Sequence, residues 1–383
     1  MQRSKPVGPP AVRRTEKLSA IQKDPVMIVH QEQPWNIGAP AACVRQTFLT
    51  PQERFFVRNH GVVPEVDVQR YRLSLTGMVQ WPLDLSLDEL RAMFPEAQVM
   101  ATLQCAGHRR KELATLQPIP GEIPFGAETM STAVWRGVPL REVLLAAGIA
   151  PGARHVALLG LDEIEQGHEP FGFGGSIPIE KAMNAQTLLA YEMNGQPLPR
   201  LHGFPLRAIV PGYIGARSVK WLTNIHVQAQ PSTNYFQAHA YKLFPAHVQQ
   251  AEHADWARGQ MLGELPLNTV ICHPQEGEIL VAEPILIEGY AITGAGGHIE
   301  KVELSADEGA TWTQATLLEK SSPWTWRFWE ATLNLPPGTY QIAVRAWDSA
   351  GRTQPKDARQ TWNFKGYLNN AWHRVKISIQ SIL

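Results

Sequence analysis

The sequence predicts an α+β protein, in which a mixed α/β domain is followed by an all-β, immunoglobulin-like sandwich. Helix and strand signals are mixed through residues 41–261, whereas strand and turn signals without helices fill residues 262–383. The 30 glycines and 30 prolines among 383 residues also predict many turns and disfavour long helical bundles. We therefore divide the chain into an extended N-terminal arm at 1–40, an α/β domain with its connector at 41–261 and a sandwich at 262–383.

Local signals predict the elements of the first part of the chain. Six prolines among the first 40 residues favour an arm without regular structure. A capping-box pattern at Ser86 and Glu89 marks the start of one helix, and Pro139 and Gly148 mark the two ends of another. Alternating or continuous apolar runs predict strands. The predicted elements are strands at 71–77, 156–161, 206–210 and 219–227, and helices at 86–93 and 140–147.

Five strand-like segments, separated by turn signals and by no helix, predict the sandwich. The turns are rich in Gly, Pro, Asp and Ser, as at Asp307–Gly309, Pro336–Gly338 and Asp348–Gly351. The five segments are Ile279–Val281, Ile285–Tyr290, Val302–Ser305, Trp324–Leu333 and Tyr340–Trp347.

Composition and charge argue against several functions. The 35 Lys and Arg residues balance 35 Asp and Glu residues, so we expect no attraction of the whole chain to nucleic acid or to an anionic membrane. No apolar run reaches the ~18 residues of a membrane span, and the polar start carries no secretory signal. Three widely spaced cysteines are not a disulfide framework. We expect a cytoplasmic protein, with a periplasmic location left open if an export signal has been removed.

The segment around Cys105 is the first candidate for chemistry. His108, Arg109 and Arg110 follow it closely. Nearby cations favour the thiolate, which is the form that binds soft metals or attacks electrophiles. An inert buried cysteine is the alternative interpretation. Cys105 and His108 have the spacing of half a zinc site, but no second pair with suitable spacing completes it.

Further clusters could bind an anion. Phe55–His60 ends an apolar run with polar side chains. His202–Arg207 and Pro211–Lys220 combine glycine turns with Arg and Lys, a pattern suited to cradling a phosphate but distinct from the P-loop and dinucleotide motifs. Gly172–Ser176 is either a flexible loop or a close approach of backbone to a ligand. A structural turn or strand end is the alternative interpretation. Together with a thiolate, these clusters predict an unnamed metal held through an anionic organic cofactor.

Several long motifs, occurring in the same order, closely resemble the sulfite oxidase family of molybdenum enzymes. The similarity covers nearly everything from about residue 40 onward. The motifs are Phe55–His60, Leu103–Arg110, Leu189–Arg207, Pro211–Trp221 and, resembling the end of that family's dimerisation domain, Trp362–Val375.

The resemblance implies roles for individual residues. Cys105 would be the thiolate ligand of molybdenum. The molybdopterin and its phosphate would be held by Phe56, Val57, Arg58, Asn59, His60, Asp162, His202, Arg207, Ser218, Val219 and Lys220. The substrate pocket would contain Arg58, Arg110, Tyr241 and Lys365, whose donors can orient an oxyanion. Vertebrate and plant members carry Arg at the position of Lys365, whose ammonium lacks the planar guanidinium fork. They also carry a Trp of the substrate pocket at the position of Phe125, so both changes touch substrate recognition.

The resemblance also implies an activity. It is the molybdenum-dependent oxidation of sulfite to sulfate, with one molybdenum–molybdopterin cofactor per chain and a homodimeric assembly. Neither a cytochrome b5-like haem segment nor a C-x-x-C-H motif is seen, so we expect no haem and an external electron acceptor of unknown identity. Two alternatives stay open: a reductase on the same scaffold, acting on nitrate or a sulfoxide, and a non-catalytic cofactor-binding module.

Overall fold

The predicted order of a mixed α/β part followed by a β-rich part is confirmed in the computed structural model, which describes residues 23–165, 169–245, 247–294, 296–318 and 322–381. The helices are α1 Ala41–Val44, α2 Leu87–Met93, α3 Arg110–Leu116, α4 Leu140–Ala147 and α5 Ile179–Ala182. The strands of the first part are β1 Ile28–Gln31, β2 Asn36–Gly38, β3 Leu73–Gly77, β4 Leu83–Leu85, β5 Ala97–Gln104, β6 Met130–Pro139, β7 His155–Ile164, β8 Phe171–Pro178, β9 Leu188–Met193, β10 Gln196–Pro197, β11 Arg207–Ile209, β12 Leu222–Gln228, β13 Lys242–Leu243 and β14 Gln260–Met261. Those of the second part are β15 Asn268–His273, β16 Ile279–Val281, β17 Ile285–Ile292, β18 Ile299–Ser305, β19 Thr313–Gln314, β20 Thr316–Leu317, β21 Arg327–Leu333, β22 Gly338–Asp348 and β23 His373–Gln380.

Two five-stranded sheets build the first part. One has the order β4-β3-β12-β7-β8, and the other has the order β10-β9-β6-β5 with β11 paired to β9. They share one apolar core, to which Leu75 of β3, Ile225 of β12 and Leu189 of β9 contribute. The buried faces of α2 and α4 join the same core through Leu90 and Leu144. No helix in the described ranges is long and apolar enough to cross a membrane.

Helices α2 and α4 begin and end where their sequence signals predict. The Ser86 hydroxyl accepts a hydrogen bond from the Glu89 backbone at 3.1 Å, and the Glu89 carboxylate accepts one from the Ser86 backbone at 2.8 Å. These two bonds satisfy amide groups that have no partner within the helix. Helix α4 ends at Gly148, whose φ of 68° suits glycine because it has no Cβ.

Two facing sheets form the second part. Their strand orders are β15-β17-β21-β20 and β16-β23-β22-β18-β19. Side chains from both sheets meet in one core, with Ile287 and Trp329 from the first sheet and Val302, Ile342 and Ile377 from the second. Burial of this apolar surface is the main stabilising contribution to such a sandwich.

The two parts of the chain meet along β5. The backbone N–H of Thr102 donates to the Trp324 carbonyl at 2.9 Å, and the Thr102 hydroxyl accepts from the Trp326 backbone at 3.0 Å. A few residues further on, Arg109 donates to the Asn268 side chain at 2.7 Å. Strand β5 is therefore held by its sheet neighbour β6 and by the second part of the chain.

The N-terminal arm is only partly as predicted. Residues 1–22 of the predicted arm lie outside the described residues. Within the rest, β1 and β2 pair as a short antiparallel hairpin, so the expectation of no regular structure is wrong there. The prolines do not prevent this pairing because Pro34 lies in the turn, and Pro25 and Pro40 flank the two strands.

Several strands of the structure carry no clear signal in the sequence. Most of β6 and the second half of β5 are buried on both faces, so these segments lack the alternation that marks a half-buried strand. The glycine segment Gly172–Ser176 lies within β8 rather than in a loop. A Cβ on Gly174 would approach the Leu158 carbonyl to 2.8 Å, so glycine allows β8 to lie close to β7.

The core of the first part gives a stability prediction. Leu144 is fully buried and Leu145, next to it in α4, is 58% exposed. Leu144→Ala should lower the free energy of unfolding by about 2–5 kcal/mol because it leaves a cavity in the core. Leu145→Ala is the matched control, with an expected change of about 0.5 kcal/mol or less. Denaturant unfolding followed by circular dichroism measures both, and equal effects would contradict the assigned packing.

Candidate functional site

Cys105 lies directly after β5, on the wall of a cavity. Its backbone N–H donates to the Thr129 carbonyl at 3.0 Å, which continues the pairing of β5 with β6 by one step. Its Sγ accepts a hydrogen bond from the Gly107 backbone at 3.4 Å. The residue is buried apart from 6% of its surface. The sulfur is thus fixed by the sheet and points at the cavity.

The cavity encloses about 690 Å³, including the part that opens to solvent. It brings together twelve of the residues singled out from the sequence, which are Phe56, Arg58, Asn59, His60, Cys105, Asp162, His202, Arg207, Ser218, Val219, Lys220 and Tyr241. Further lining comes from residues that sequence reasoning did not assign to the site, namely Phe55, Leu103, Ala106, Phe173, Gly215, Ala216 and Trp221.

Two buried cations on the cavity wall are held by neutral oxygens. Arg207 donates to the carbonyls of His202 at 2.9 Å and of Ser218 at 3.0 Å, and burial lowers its pKa to about 9. Lys220 donates to the Asn59 side chain and to the Leu201 carbonyl. Burial, and then the nearby charge of Arg207, hold the pKa of Lys220 well below its usual range. Carbonyl oxygens do not neutralise a cation, so this wall favours an anionic ligand.

A second wall contains a chain of hydrogen bonds. Arg58 Nη2 lies 3.3 Å from His60 Nδ1, and His60 Nε2 lies 2.8 Å from the Tyr241 hydroxyl. Because arginine can only donate, Nδ1 must accept, and Nε2 carries the proton that it donates to the tyrosine oxygen. Burial keeps the pKa of His60 well below its usual range and raises the pKa of Tyr241. The Tyr241 hydroxyl therefore keeps its proton and can donate a hydrogen bond to a ligand.

Asp162 is the one carboxylate among the described lining residues. Burial raises its pKa to about 6, and this effect exceeds the opposing attraction of Lys220. Its Oδ1 accepts a long hydrogen bond, 3.4 Å, from the Phe173 backbone. The cavity is therefore rich in cations and poor in negative charge.

Three residues named from the sequence do not line the cavity. Val57 pairs with Ile37 through its backbone, and its side chain is buried in the core. Arg110 lies in a second layer, over the ring of Tyr367, which in turn stacks on the ring of Tyr241. Lys365 lies in the same layer as Arg110.

Phe125, at the position where vertebrate and plant members of the family carry Trp, is also outside the cavity lining. Its ring is fully buried and meets the His30 ring edge-on, with centroids 5.0 Å apart. The expectation that this position belongs to the substrate pocket has no support in the lining of the cavity.

The cations that follow Cys105 in sequence do not cluster around its sulfur. His108 Nε2 lies 3.0 Å from the Tyr290 hydroxyl, and Arg109 is bound by Glu112 at 2.6 Å and by Asn268. The prediction that this run of cations acts on the thiol is wrong for these two residues. A tight turn sends them toward the second part of the chain, with Arg109 itself at a φ of 63°.

Lys23 does not line the cavity itself, but it contacts the lining residue His202, and sequence reasoning missed it. Its Nζ lies 2.9 Å from His202 Nε2 and donates to the carbonyls of Gln52 and Phe55. Burial lowers the pKa of this lysine to about 7. A lone lysine 179 positions before its partner gives no sequence signal. Phe173, in contrast, falls within the glycine segment that the sequence did single out.

The donor set fits an anionic cofactor better than a metal held by protein alone. In the part of the chain that the structure describes, no three His, Cys, Asp or Glu side chains converge on a metal position. Asn59 Nδ2 is buried in the cavity wall without an acceptor among the described residues. A buried donor without a partner is costly, and an oxygen-rich ligand would satisfy it. A single thiol beside such a wall suits a metal that brings most of its own ligands.

Comparisons with known proteins agree with this site. Residues 60–236 match the model of the oxidoreductase molybdopterin binding domain, and residues 260–380 match that of the Mo-co oxidoreductase dimerisation domain. The chain is 40% identical to sulfite oxidase of Gallus gallus over 362 residues, which cover 92% of this chain and 78% of that protein. The chain belongs to the sulfite oxidase family. Sulfite oxidase of Arabidopsis thaliana is 36% identical over 379 residues, which cover 93% of this chain and 95% of the plant protein.

A solved structure shares the fold of both parts of the chain. The sulfane dehydrogenase SoxCD of Paracoccus pantotrophus superposes with a TM-score of 0.74, covering 98% of this chain and 93% of that chain. The sequence identity is 23%, so this likeness concerns the fold alone. It supports the observed fold of the two parts of the chain and their mutual arrangement.

The raised pKa of Asp162 gives a pH prediction for cofactor-free protein. Between the usual value of 3.8 and about 6, the folded chain binds this proton more tightly than the unfolded chain. The contribution of Asp162 to stability should therefore fall as the pH rises through that window, by roughly 3 kcal/mol in total, and should level off above it. Asp162→Asn removes this contribution, so its stability should change more positively with pH than that of the parent, whereas exposed Asp84→Asn should keep the pH dependence of the parent. Denaturant unfolding at several pH values measures the slope of stability against pH, and an unchanged slope in Asp162→Asn would contradict the assignment.

Proposed function

We propose that this chain oxidises sulfite to sulfate with a molybdenum–molybdopterin cofactor, and passes the electrons to an external acceptor. One observation carries the proposal. The Cys105 sulfur shares a cavity with Arg58, Tyr241 and the buried cations Arg207 and Lys220. A thiol for a soft metal and donors for two anions, the cofactor and the substrate, are thus combined in one space.

The proposed assignment of cofactor contacts follows the two walls. Arg207, Lys220 and His202 would hold the anionic end of the molybdopterin, because their charges and donors have no carboxylate partner in the cavity apart from Asp162. Lys23 would add a cation beside His202. Asn59 would donate its free Nδ2 to the pterin. One cofactor per chain follows from one cysteine at the cavity.

The chemistry divides between the cofactor and the chain. When bound, the molybdenum group supplies the two-electron redox change and the oxygen exchange, which no side chain can provide. In the net reaction sulfite gains one oxygen atom from water, two protons are released, and two electrons go to the acceptor. Arg58 would bind and orient the sulfite oxygens, and the Tyr241 hydroxyl would donate a hydrogen bond to the reacting oxygen.

A homodimer is part of the proposal. The second part of the chain matches a dimerisation domain of molybdenum cofactor oxidoreductases. Ile279 and Val281 lie on the same face of β16 and are 62% and 52% exposed. Apolar side chains exposed together on a strand favour burial against a second subunit.

The test of the activity is a paired assay on protein loaded with molybdenum. Sulfite is oxidised with ferricyanide as the artificial acceptor, and nitrate is offered with reduced viologen as the donor. We expect sulfite-dependent reduction of ferricyanide and little turnover of nitrate. Turnover of nitrate without oxidation of sulfite would replace this proposal with the reductase. Loaded protein without either activity would favour the non-catalytic module.

Cys105→Ser should abolish oxidation of sulfite while leaving the fold intact. An alkoxide is a harder ligand than a thiolate, and replacing the sulfur changes the electronic properties of the metal. Cys43→Ser is the matched control, because Cys43 is half-buried and outside the cavity. Sulfite turnover, molybdenum content and circular dichroism are measured for both variants. Near-normal turnover by Cys105→Ser would refute the ligand assignment.

Arg58→Gln should mainly raise the KM for sulfite, by about tenfold, because it removes a charge that binds the anion before and during reaction. Exposed Arg72→Gln, which is paired with Glu89 at 2.8 Å, is the control for loss of one positive charge. Steady-state kinetics on loaded protein separate kcat from KM. An unchanged KM would count against the anion-binding role of Arg58.

A further inference from the structure

Two of the cations expected to bind substrate share a carboxylate. Arg110 Nη2 lies 3.2 Å from Glu122 Oε2, and Lys365 Nζ binds the other oxygen, Oε1. The side chains of Arg110, Glu122 and Lys365 are 4%, 14% and 22% exposed, so water screens this arrangement weakly. An acidic residue at this position is unexpected in a site that is meant to attract an anion.

The cluster lies directly behind the cavity wall. The Tyr367 ring stacks on the Tyr241 ring, with centroids 5.3 Å apart and planes 20° apart. The Arg110 guanidinium lies over the Tyr367 ring, 5.1 Å from the ring centre. Arg110 and Glu122 are close enough to contribute to the pKa of Tyr241. A change of charge at Glu122 therefore alters the electrostatic potential at a ligand that binds next to Tyr241.

The two cations differ in their freedom to move. Arg110 is locked, because its Nε also donates to the Lys365 carbonyl at 2.9 Å and its Nη1 donates to the Ile123 carbonyl at 2.8 Å. Lys365 is held through a single ammonium on a flexible stem, and its partner is Glu122. An ammonium group has three donors that can reorient, so Lys365 can exchange the carboxylate for another anion.

We propose that Glu122 determines the affinity of the site for oxyanions, by competing with the substrate for Lys365. With the Glu122 carboxylate in place, Arg110, Lys365 and Glu122 together carry a net charge of about +1 rather than the +2 of the two cations alone. An incoming anion therefore has to draw Lys365 away from Glu122. Such competition weakens the binding of both sulfite and the product sulfate, and favours release of a doubly charged product. The inference rests on the proposed function for the identity of the substrate.

The test is Glu122→Gln in protein loaded with molybdenum. The KM for sulfite and the dissociation constant for sulfate should each fall about tenfold, because one negative charge is removed beside the anion. Calorimetry measures sulfate binding without turnover. The affinity result therefore stands even if sulfite is not oxidised, whereas loss of turnover alone bears on the proposed function.

Glu303→Gln is the matched control, because Glu303 also lies between a lysine and an arginine, Lys301 at 2.9 Å and Arg345 at 2.8 Å, far along the chain from the cavity. It should leave anion affinity unchanged. Glu122→Asp keeps the charge and should stay close to the parent. Glu122→Ala repeats the test if the glutamine variant does not fold.

The opposite role for Glu122 gives the opposite result. If this carboxylate served only to hold Arg110 and Lys365 in place, its removal would weaken sulfate binding and raise the KM. A weaker or unchanged affinity in the folded variant would overturn the proposal. In the double variant with Lys365→Met, the gain from Glu122→Gln should shrink by at least about half. An undiminished gain would contradict competition for Lys365.

Discussion

The position of one sulfur atom depends on how β5 is held. On one side β5 pairs with β6 along its whole length, and on the other side Thr102 is bonded to Trp324 and Trp326 of the second part of the chain. Cys105 follows Thr102 by three residues, so the hydrogen bonds that hold β5 also restrict the backbone at Cys105. The second part is therefore a structural support of the site as well as the expected surface for assembly. Hydrogen bonds from the sandwich thus help to fix the backbone that positions Cys105.

Electrostatics in the cavity follow from the same rigidity. Arg207 and Lys220 are buried against carbonyl and amide oxygens, which orient them without neutralising them. Keeping such charges desolvated is unfavourable, as the lowered pKa values of both groups indicate. A bound anion relieves this cost, so the folded chain presents a preorganised binding site for a negatively charged group. The acidic residue in the layer behind the cavity wall, Glu122, moderates the affinity for anions by binding Lys365.

How much could be predicted from the sequence depended on the range of the signal. Helices α2 and α4 were predictable because Ser86, Glu89, Pro139 and Gly148 act on their own neighbours. Strands β5, β6 and β8 were not, because burial on both faces or a run of glycines removes alternation.

The same reasoning applies to the candidate site. Motifs predicted most of the cavity lining, since each motif is a continuous stretch that folds into one wall. The contact of Lys23 with His202 and the bridge of Glu122 to Lys365 join residues 179 and 243 positions apart. No local pattern encodes such pairs, and only the folded chain reveals them. The residue types that follow Cys105 also led to a wrong prediction for its sulfur. A tight turn directs His108 and Arg109 toward Tyr290 and Asn268 of the second part of the chain.

The contact of Lys23 with His202 in the cavity wall limits how far this protein can be truncated from its N-terminal side. The family match begins at residue 60, which invites a truncation there for expression. Such a cut would remove Lys23 together with the Arg54–Asp24 ion pair, 2.7 Å, that holds its segment in place. It would also remove the lining residues Phe56, Arg58 and Asn59. The smallest autonomous unit is thus larger than the recognisable domain, and its boundary is set by tertiary contacts rather than by sequence similarity.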